Sequence, residues 1–188
     1  AVRSSSLSED SMSQPFAGVF DTFVVPNNND KKTNLEHLAK AIKLVYASVY
    51  SEDSRTYFKA INHKVEDERM AVILQEVTGK QYNDVYYPNI SGVGRSINFY
   101  PIGNELPIEG IANIAMGLGE IIVGGGQSLR FCPYHPKKVL QLSTPGSAQR
   151  DTQQHFFALV MDTGTFEISL REDFKKKILS IKNAKKQE

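Results

Sequence analysis

The first eighteen residues constrain this chain most. Ala1 and Val2 run straight into Arg3 and three hydroxyls, Ser4, Ser5 and Ser6; Glu9 and Asp10 follow, then Phe16, Ala17 and Gly18. An apolar pair giving way to a cation and hydroxyls describes a short strand that delivers a charged turn. The planar fork of an arginine suits phosphate oxygens, the hydroxyls can donate further hydrogen bonds, and Gly18 lets backbone come close to a ligand. The same residues also describe a serine-rich surface turn whose arginine pairs with Glu9 or Asp10. Chemistry alone leaves both readings open.

Beyond Gly18 the pattern alternates strands with one pair of helices. Val19 to Val25 alternates as a strand and stops at Pro26 and the run Asn27 to Asp30. Leu35, Leu38, Ala39, Ile42, Val45, Tyr46 and Val49 recur at three- and four-residue steps, which predicts an amphipathic helix. Thr33 or Asn34 is its expected N-cap, with Glu36 in the first turn where the helix dipole favours an anion. A second helix is expected from Asp53 to Ile61, and helical spacing assigns Tyr46, Tyr50, Tyr57 and Phe58 to the core rather than to a base-stacking platform. Met70 to Val77 is nearly continuous apolar sequence, the mark of a strand covered on both faces, and it leaves the core at Gln75-Glu76. Ser128 to Phe131, Phe156 to Met161 and Phe166 to Leu170 read as further strands. Lys175, Lys176, Lys177, Lys182, Lys185 and Lys186 read as a basic amphipathic helix or tail with a solvated charged face.

Several function classes are excluded or disfavoured. A net charge of +1 gives no global attraction for nucleic acid. No stretch approaches membrane-spanning length, and no signal segment opens the chain. The single cysteine, Cys132, rules out an internal disulfide and fits a reducing cytoplasm. Cys132 and His135 form a C-x-x-H pair without a second pair at zinc spacing. Gly92 and Gly94 fail as a dinucleotide fingerprint because Ile97 occupies the third glycine position, and no glycine pair is followed by Lys and Ser/Thr as a P-loop requires. With 40% hydrophobic and 23% charged residues over 188 positions, the chain has the material for a globular core of ordinary domain size.

Three blocks carry a family resemblance. Val2-Arg3-Ser4-Ser5, Glu9-Asp10 and Phe16-Ala17-Gly18, then Gln75-Glu76-Val77 and Ser91-Gly92-Val93, and finally Ile111 to Met116 with Gly117-Leu118-Gly119-Glu120 resemble the nucleotide-binding domain of phosphoenolpyruvate synthase and pyruvate phosphate dikinase. The resemblance covers most of residues 1–160, with residues 161–188 expected to be a following segment. It implies an α/β (α+β) fold that is part of an ATP-grasp domain, with a mainly antiparallel sheet and flanking helices. It also implies that Arg3 clamps ATP phosphates as the catalytic cation, that Ser4 and the turn through Gly18 lie beside them, and that main-chain groups of Gln75, Glu76 and Val77 read adenine. Glu120 would hold the ribose or the base. The sequence departs from the family pattern at Gly94-Arg95-Ser96-Ile97-Asn98-Phe99-Tyr100-Pro101, where Arg95 reads as a surface ion-pair partner or a second phosphate ligand.

The activity implied is phosphoryl transfer from ATP to a histidine on another domain of the same polypeptide, which then serves the pyruvate–phosphoenolpyruvate interconversion. No protein nucleophile is needed in the nucleotide domain; positioning and charge neutralisation suffice. The family's phosphate-binding lysine, its later magnesium-binding strand and its phosphohistidine domain have no counterpart here, and a strand-like start without Met adds to the expectation of a fragment of a larger cytoplasmic protein that uses ATP with Mg2+. The alternative is a non-catalytic nucleotide-binding or regulatory module of a large multidomain protein.

Overall fold

The computed structural model describes residues 1–9 and 18–161 and the backbone of residues 176–180. The fold is mixed α/β, with antiparallel sheets and flanking helices, and it divides into two compact units, one centred on residues 1–77 and the other on residues 78–160 with 176–180.

In the first unit β1 (Val2–Ser6) is the middle strand of an antiparallel sheet, between β2 (Thr22–Phe23) and β3 (Met70–Leu74). Its burial alternates as a strand's must: Val2, Ser4 and Ser6 are buried while Arg3 is exposed. α1 (Lys31–Ser48) packs against this sheet and buries Ala41, Val45 and Ser48. α2 (Glu52–Ala60) follows at once, with the Ser51 hydroxyl capping its N-terminus and Glu52 and Asp53 in its first turn. Phe20, Val49 and Phe58 form the core here, flanked by Val19, Tyr57, Ile61, Val65 and Met70. Full burial of a ring such as Phe58 contributes about 1.5–3 kcal/mol.

Four expectations change in this unit. The cap of α1 is Asp30, not Thr33 or Asn34: its carboxylate accepts from the Lys32 and Thr33 amides at 3.1 and 3.4 Å and from the Thr33 hydroxyl, so the helix starts earlier. Tyr46 and Tyr50 are exposed, as are Leu35 and Ala39. At ~100° per residue, Leu35, Ala39 and Tyr46 fall roughly 80–120° round the helix from Val45, so the apolar stripe is wider than the face the sheet covers. The 19–25 strand shrinks to Thr22–Phe23 because side chains of the helices take its neighbours' hydrogen bonds: Asp21 N–H donates to Ser48 Oγ at 3.2 Å and Ser54 Oγ donates to the Val19 carbonyl at 3.1 Å. Among the described residues β3 is the edge strand of its sheet rather than one covered on both faces, with Ile73 and Leu74 exposed, and its ladder ends before Val77.

The second unit holds two antiparallel sheets. In the first, β4 (Lys80–Tyr82) and β5 (Val85–Tyr87) make a hairpin through Asn83 and Asp84, and Asn83 takes the left-handed conformation (φ 54°) such tight turns ask for. β5 pairs with β9 (His155–Val160), which pairs with β10 (Lys176–Ser180). The second sheet runs β6 (Ser91–Arg95), β7 (Ile111–Ala115) and β8 (Leu129–Phe131), with β7 in the middle. Short helices follow β7 and precede β9: α3 (Glu120–Val123) and α4 (Pro145–Asp151). Val85, Tyr87, Phe156 and Ala158 are the buried core, with Tyr82 stacked on Tyr87 (centroids 4.6 Å apart) and Phe156 edge-on to Tyr87 at 4.8 Å. Residues 176–180 are therefore strand, where their lysines point to a helix or tail; the ladder with β9 outweighs the charge pattern. The expected strand at Phe166 to Leu170 lies outside the described residues.

Candidate functional site

Arg3 sits in the middle of the first unit's sheet, opposite Thr22 of β2 and Ile73 of β3. Its side chain is exposed and makes no ion pair among the described residues. Glu9, one of the two partners a surface turn would give it, is taken instead by the serines. Ser4 Oγ donates to Glu9 Oε1 at 2.7 Å, the Ser6 amide donates to Glu9 Oε2 at 2.8 Å, and Glu9 N–H donates back to Ser6 Oγ at 3.1 Å. Ser4 therefore lies on the face of β1 opposite Arg3, buried and engaged. The other expected partner, Asp10, and the residues Phe16 and Ala17 lie outside the described residues. Gly18 has φ 82°, and a Cβ there would meet none of the described residues within 4 Å.

The Gln75 end of β3 comes to the same strand. The Ala1 amine donates to the Gln75 carbonyl at 2.6 Å, and Gln75 N–H donates to the Ala1 carbonyl at 2.9 Å, so the β1–β3 ladder runs one residue beyond Leu74. Both Gln75 main-chain groups are thereby used. Glu76 and Val77 leave the ladder behind, Glu76 exposed and Val77 half-buried. Arg3 thus stands on the middle strand two residues from the Ala1–Gln75 pair that ends the ladder, and Ser4 lies one residue further along on the opposite face.

Glu120 belongs to the second unit. β7 ends at Ala115, and the chain turns through Met116, Gly117, Leu118 and Gly119 into α3, whose first residue is Glu120. Gly117 has φ 85°, and a Cβ on it would fall 2.7 Å from the Phe156 ring and from the Phe157 carbonyl, so no other residue fits. The turn is tied group by group. Gln153 Oε1 accepts from Met116 N–H at 2.7 Å and Gln153 Nε2 donates to the Met116 carbonyl at 2.9 Å. Gly117 N–H donates to the Pro88 carbonyl at 3.1 Å, Ser91 Oγ donates to the Gly117 carbonyl at 2.6 Å, and Leu118 N–H donates to the Phe157 carbonyl at 2.8 Å. The three glycines after α3 close it: Gly124, Gly125 and Gly126 N–H donate to the carbonyls of Glu120, Ile122 and Ile121.

Other polar groups meet that sequence spacing does not bring together. Asn98, fully buried, takes Tyr100 N–H and Arg130 Nη2 on its Oδ1, both at 3.1 Å, and donates to Glu105 Oε2 at 3.1 Å. This network braces the stretch that departs from the family pattern, and it leaves Arg95 exposed without an ion pair among the described residues. Cys132 and His135 find a third partner in Glu109, whose Oε2 lies 3.7 Å from Cys132 Sγ and 3.3 Å from His135 Nε2. No group of three or more His, Cys, Asp or Glu among the described residues is arranged to hold a metal ion, and no described helix is long and apolar enough to cross a membrane. Gln153, Glu109 and Glu105 carry no motif; only the fold brings them to their partners.

Over residues 1–185 the chain matches the family described as pyruvate phosphate dikinase, AMP/ATP-binding domain. The chain belongs to that family. This pyruvate phosphate dikinase-type nucleotide-binding domain is 33% identical over 125 residues to the uncharacterized phosphotransferase YvkC of Bacillus subtilis (strain 168). That similarity covers 66% of the present chain and 13% of YvkC, so the chain spans about an eighth of its relative's length. No solved structure matches it.

Proposed function

We propose that this domain is the ATP-binding part of a longer phosphotransferase of the dikinase type, in an ATP-grasp architecture, working in the cytoplasm with other domains of the same polypeptide. Arg3 contacts the ATP phosphates, the turn through Gly18 lies over them, main-chain groups of Glu76 and Val77 meet the adenine edge, and Glu120 accepts from a ribose hydroxyl or the adenine amino group. In this reading Ser4 acts through Glu9, holding the end of β1 rather than touching phosphate. Gln75 contributes through its place in the ladder, and the base meets the residues just beyond it.

One observation carries the reading: in a nucleotide-binding family, Arg3 presents an exposed guanidinium, free of ion pairs among the described residues, on the strand whose ladder with β3 ends at Gln75, just before Glu76 and Val77 leave it. An ionised phosphate is the partner whose geometry matches that fork. The chemistry assigned to the whole polypeptide is transfer of phosphoryl from ATP to a histidine on another domain, and from there to pyruvate to give phosphoenolpyruvate. Magnesium arrives with the triphosphate, whose oxygens supply part of its coordination.

The test is direct. In the full-length polypeptide Arg3→Ala weakens ATP binding or slows turnover on the order of ten- to a hundredfold, the loss of a charge-assisted hydrogen bond, while the 188-residue chain alone releases no AMP and phosphate from ATP above a heat-killed control. Undiminished ATP binding and turnover in Arg3→Ala would remove the reading; ATP binding without any turnover in the full-length polypeptide would favour a purely binding or regulatory module.

A further inference from the structure

We infer that Gln153 is a positioning residue for the nucleotide site: its side-chain amide locks the backbone of Met116 and so fixes the turn from which Glu120 emerges. The inference rests on the reading of Glu120 as a nucleotide ligand. Gln153 lies between α4 and β9, far from Glu120 in sequence, yet its amide meets both main-chain groups of Met116, accepting at 2.7 Å and donating at 2.9 Å. It also donates to the His155 carbonyl at 2.9 Å. A primary amide that accepts from and donates to one residue's backbone does what a neighbouring strand would do. β7 is paired by strands only as far as Ala115, and at the next residue, Met116, the Gln153 side chain takes the main-chain bonds a strand would make.

The consequence falls on the next four residues. Met116 is the last point at which the chain still follows β7; Gly117 then turns at φ 85° against Phe156 and Phe157. With Met116 held by Gln153, Gly117 by Ser91 and Pro88, and Leu118 by Phe157, five successive main-chain groups are satisfied before the chain reaches Gly119. Two of the five depend on Gln153 alone. Losing them leaves Met116 with an unpaired N–H and C=O in a half-buried place and lets the turn swing about its glycine. A carboxylate that must meet a ligand oxygen or amino hydrogen within a few tenths of an ångström loses affinity when its base is free to move.

The experiment is a double-mutant cycle on ATP affinity in the full-length polypeptide, with thermal melting followed in parallel. Gln153→Glu keeps the acceptor facing Met116 N–H and loses both donors; Gln153→Met keeps the length and loses all three bonds. The expected result is that Glu120→Gln weakens ATP binding about tenfold, Gln153→Glu weakens it about threefold, and Gln153→Met weakens it by more, up to about tenfold. Combining Gln153→Glu with Glu120→Gln then adds nothing further, because a residue that acts through Glu120 has no effect once Glu120 is disabled. A purely structural role would lower the melting temperature and leave the effects on affinity additive or absent, and either result overturns the inference while leaving Glu120 in the site. If Glu120→Gln itself binds ATP normally, the assignment of Glu120 fails, and the positioning role fails with it. Should Gln153→Met not fold, the cycle stands on Gln153→Glu alone.

Discussion

Gly18 and Gly117 have almost the same φ, 82° and 85°, in different surroundings. A methyl at Gly18 would touch none of the described residues; at Gly117 it would strike the Phe156 ring and the Phe157 carbonyl. The first turn asks only that the chain bend. The second is built into the core of its unit, and its main-chain groups are tied on every side by Gln153, Ser91, Pro88 and Phe157. The sheet around Arg3 shows the complementary design: a strand fixed by two neighbours that holds an exposed cation above them. One region supplies charge from a simple frame, and the other supplies geometry from a heavily bonded one.

Substitution separates the two. Gly117→Ala combines a left-handed residue with a collision in the core, and its expected cost is about 2–4 kcal/mol, read as a fall in the chemical denaturation midpoint. Gly18→Ala meets only the backbone term and loses about 1–2 kcal/mol. Equal effects at the two glycines would break the comparison, since packing would then count for nothing at Gly117. Ser4→Ala comes next at roughly 1 kcal/mol, because it removes one of the hydrogen bonds that hold Glu9 to β1; an unchanged midpoint would show that Glu9 does not brace the strand.

The sequence shows the strand-turn framework clearly because each piece is local. Arg3 behind Val2, the two helices from Lys31 to Ala60, and the glycine turn that opens α3 at Glu120 all follow from spacing within a few residues. What it hides is whatever depends on partners distant in the chain. The 19–25 strand is cut short by Ser48 and Ser54, whose hydroxyl bonds no local pattern announces. β3 looks doubly covered by composition and is an edge strand among the described residues, while Lys176–Ser180 pairs with β9 despite its lysines. The cap at Asp30 is a local signal, since Asp directly before a helix is a preferred N-cap residue. In the candidate site Arg3 and Glu120 are legible from motif and charge; Gln153, Glu109 and Glu105 become visible only once the chain is folded.

Two smaller effects sharpen the contrast. Replacing Glu76 by Ala changes ATP affinity less than about twofold, as its proposed contribution is through the backbone; a loss as large as that from Arg3→Ala would move the pocket. Smallest is the acid response of α1. The Thr33 hydroxyl and amide, with the Lys32 amide, hold the Asp30 carboxyl below its ordinary value. Its stabilisation is therefore present above the unfolded value of about 3.9 and is lost as pH falls through the lower folded value. The melting temperature of Asp30→Asn should accordingly fall less between pH 5 and pH 3 than that of the unsubstituted chain, by a small margin because the carboxyl is fully exposed. Parallel pH curves would mean that the cap carries no charge-dependent stability.

The central claim is that Arg3 meets the phosphates of ATP. Titrating the full-length polypeptide with ATP and with adenosine, before and after Arg3→Ala, tests it most directly. The account predicts that ATP affinity falls on the order of ten- to a hundredfold while adenosine affinity is unchanged, because adenosine has no phosphate for the guanidinium to hold. Equal losses for ATP and adenosine, or none for either, would contradict it.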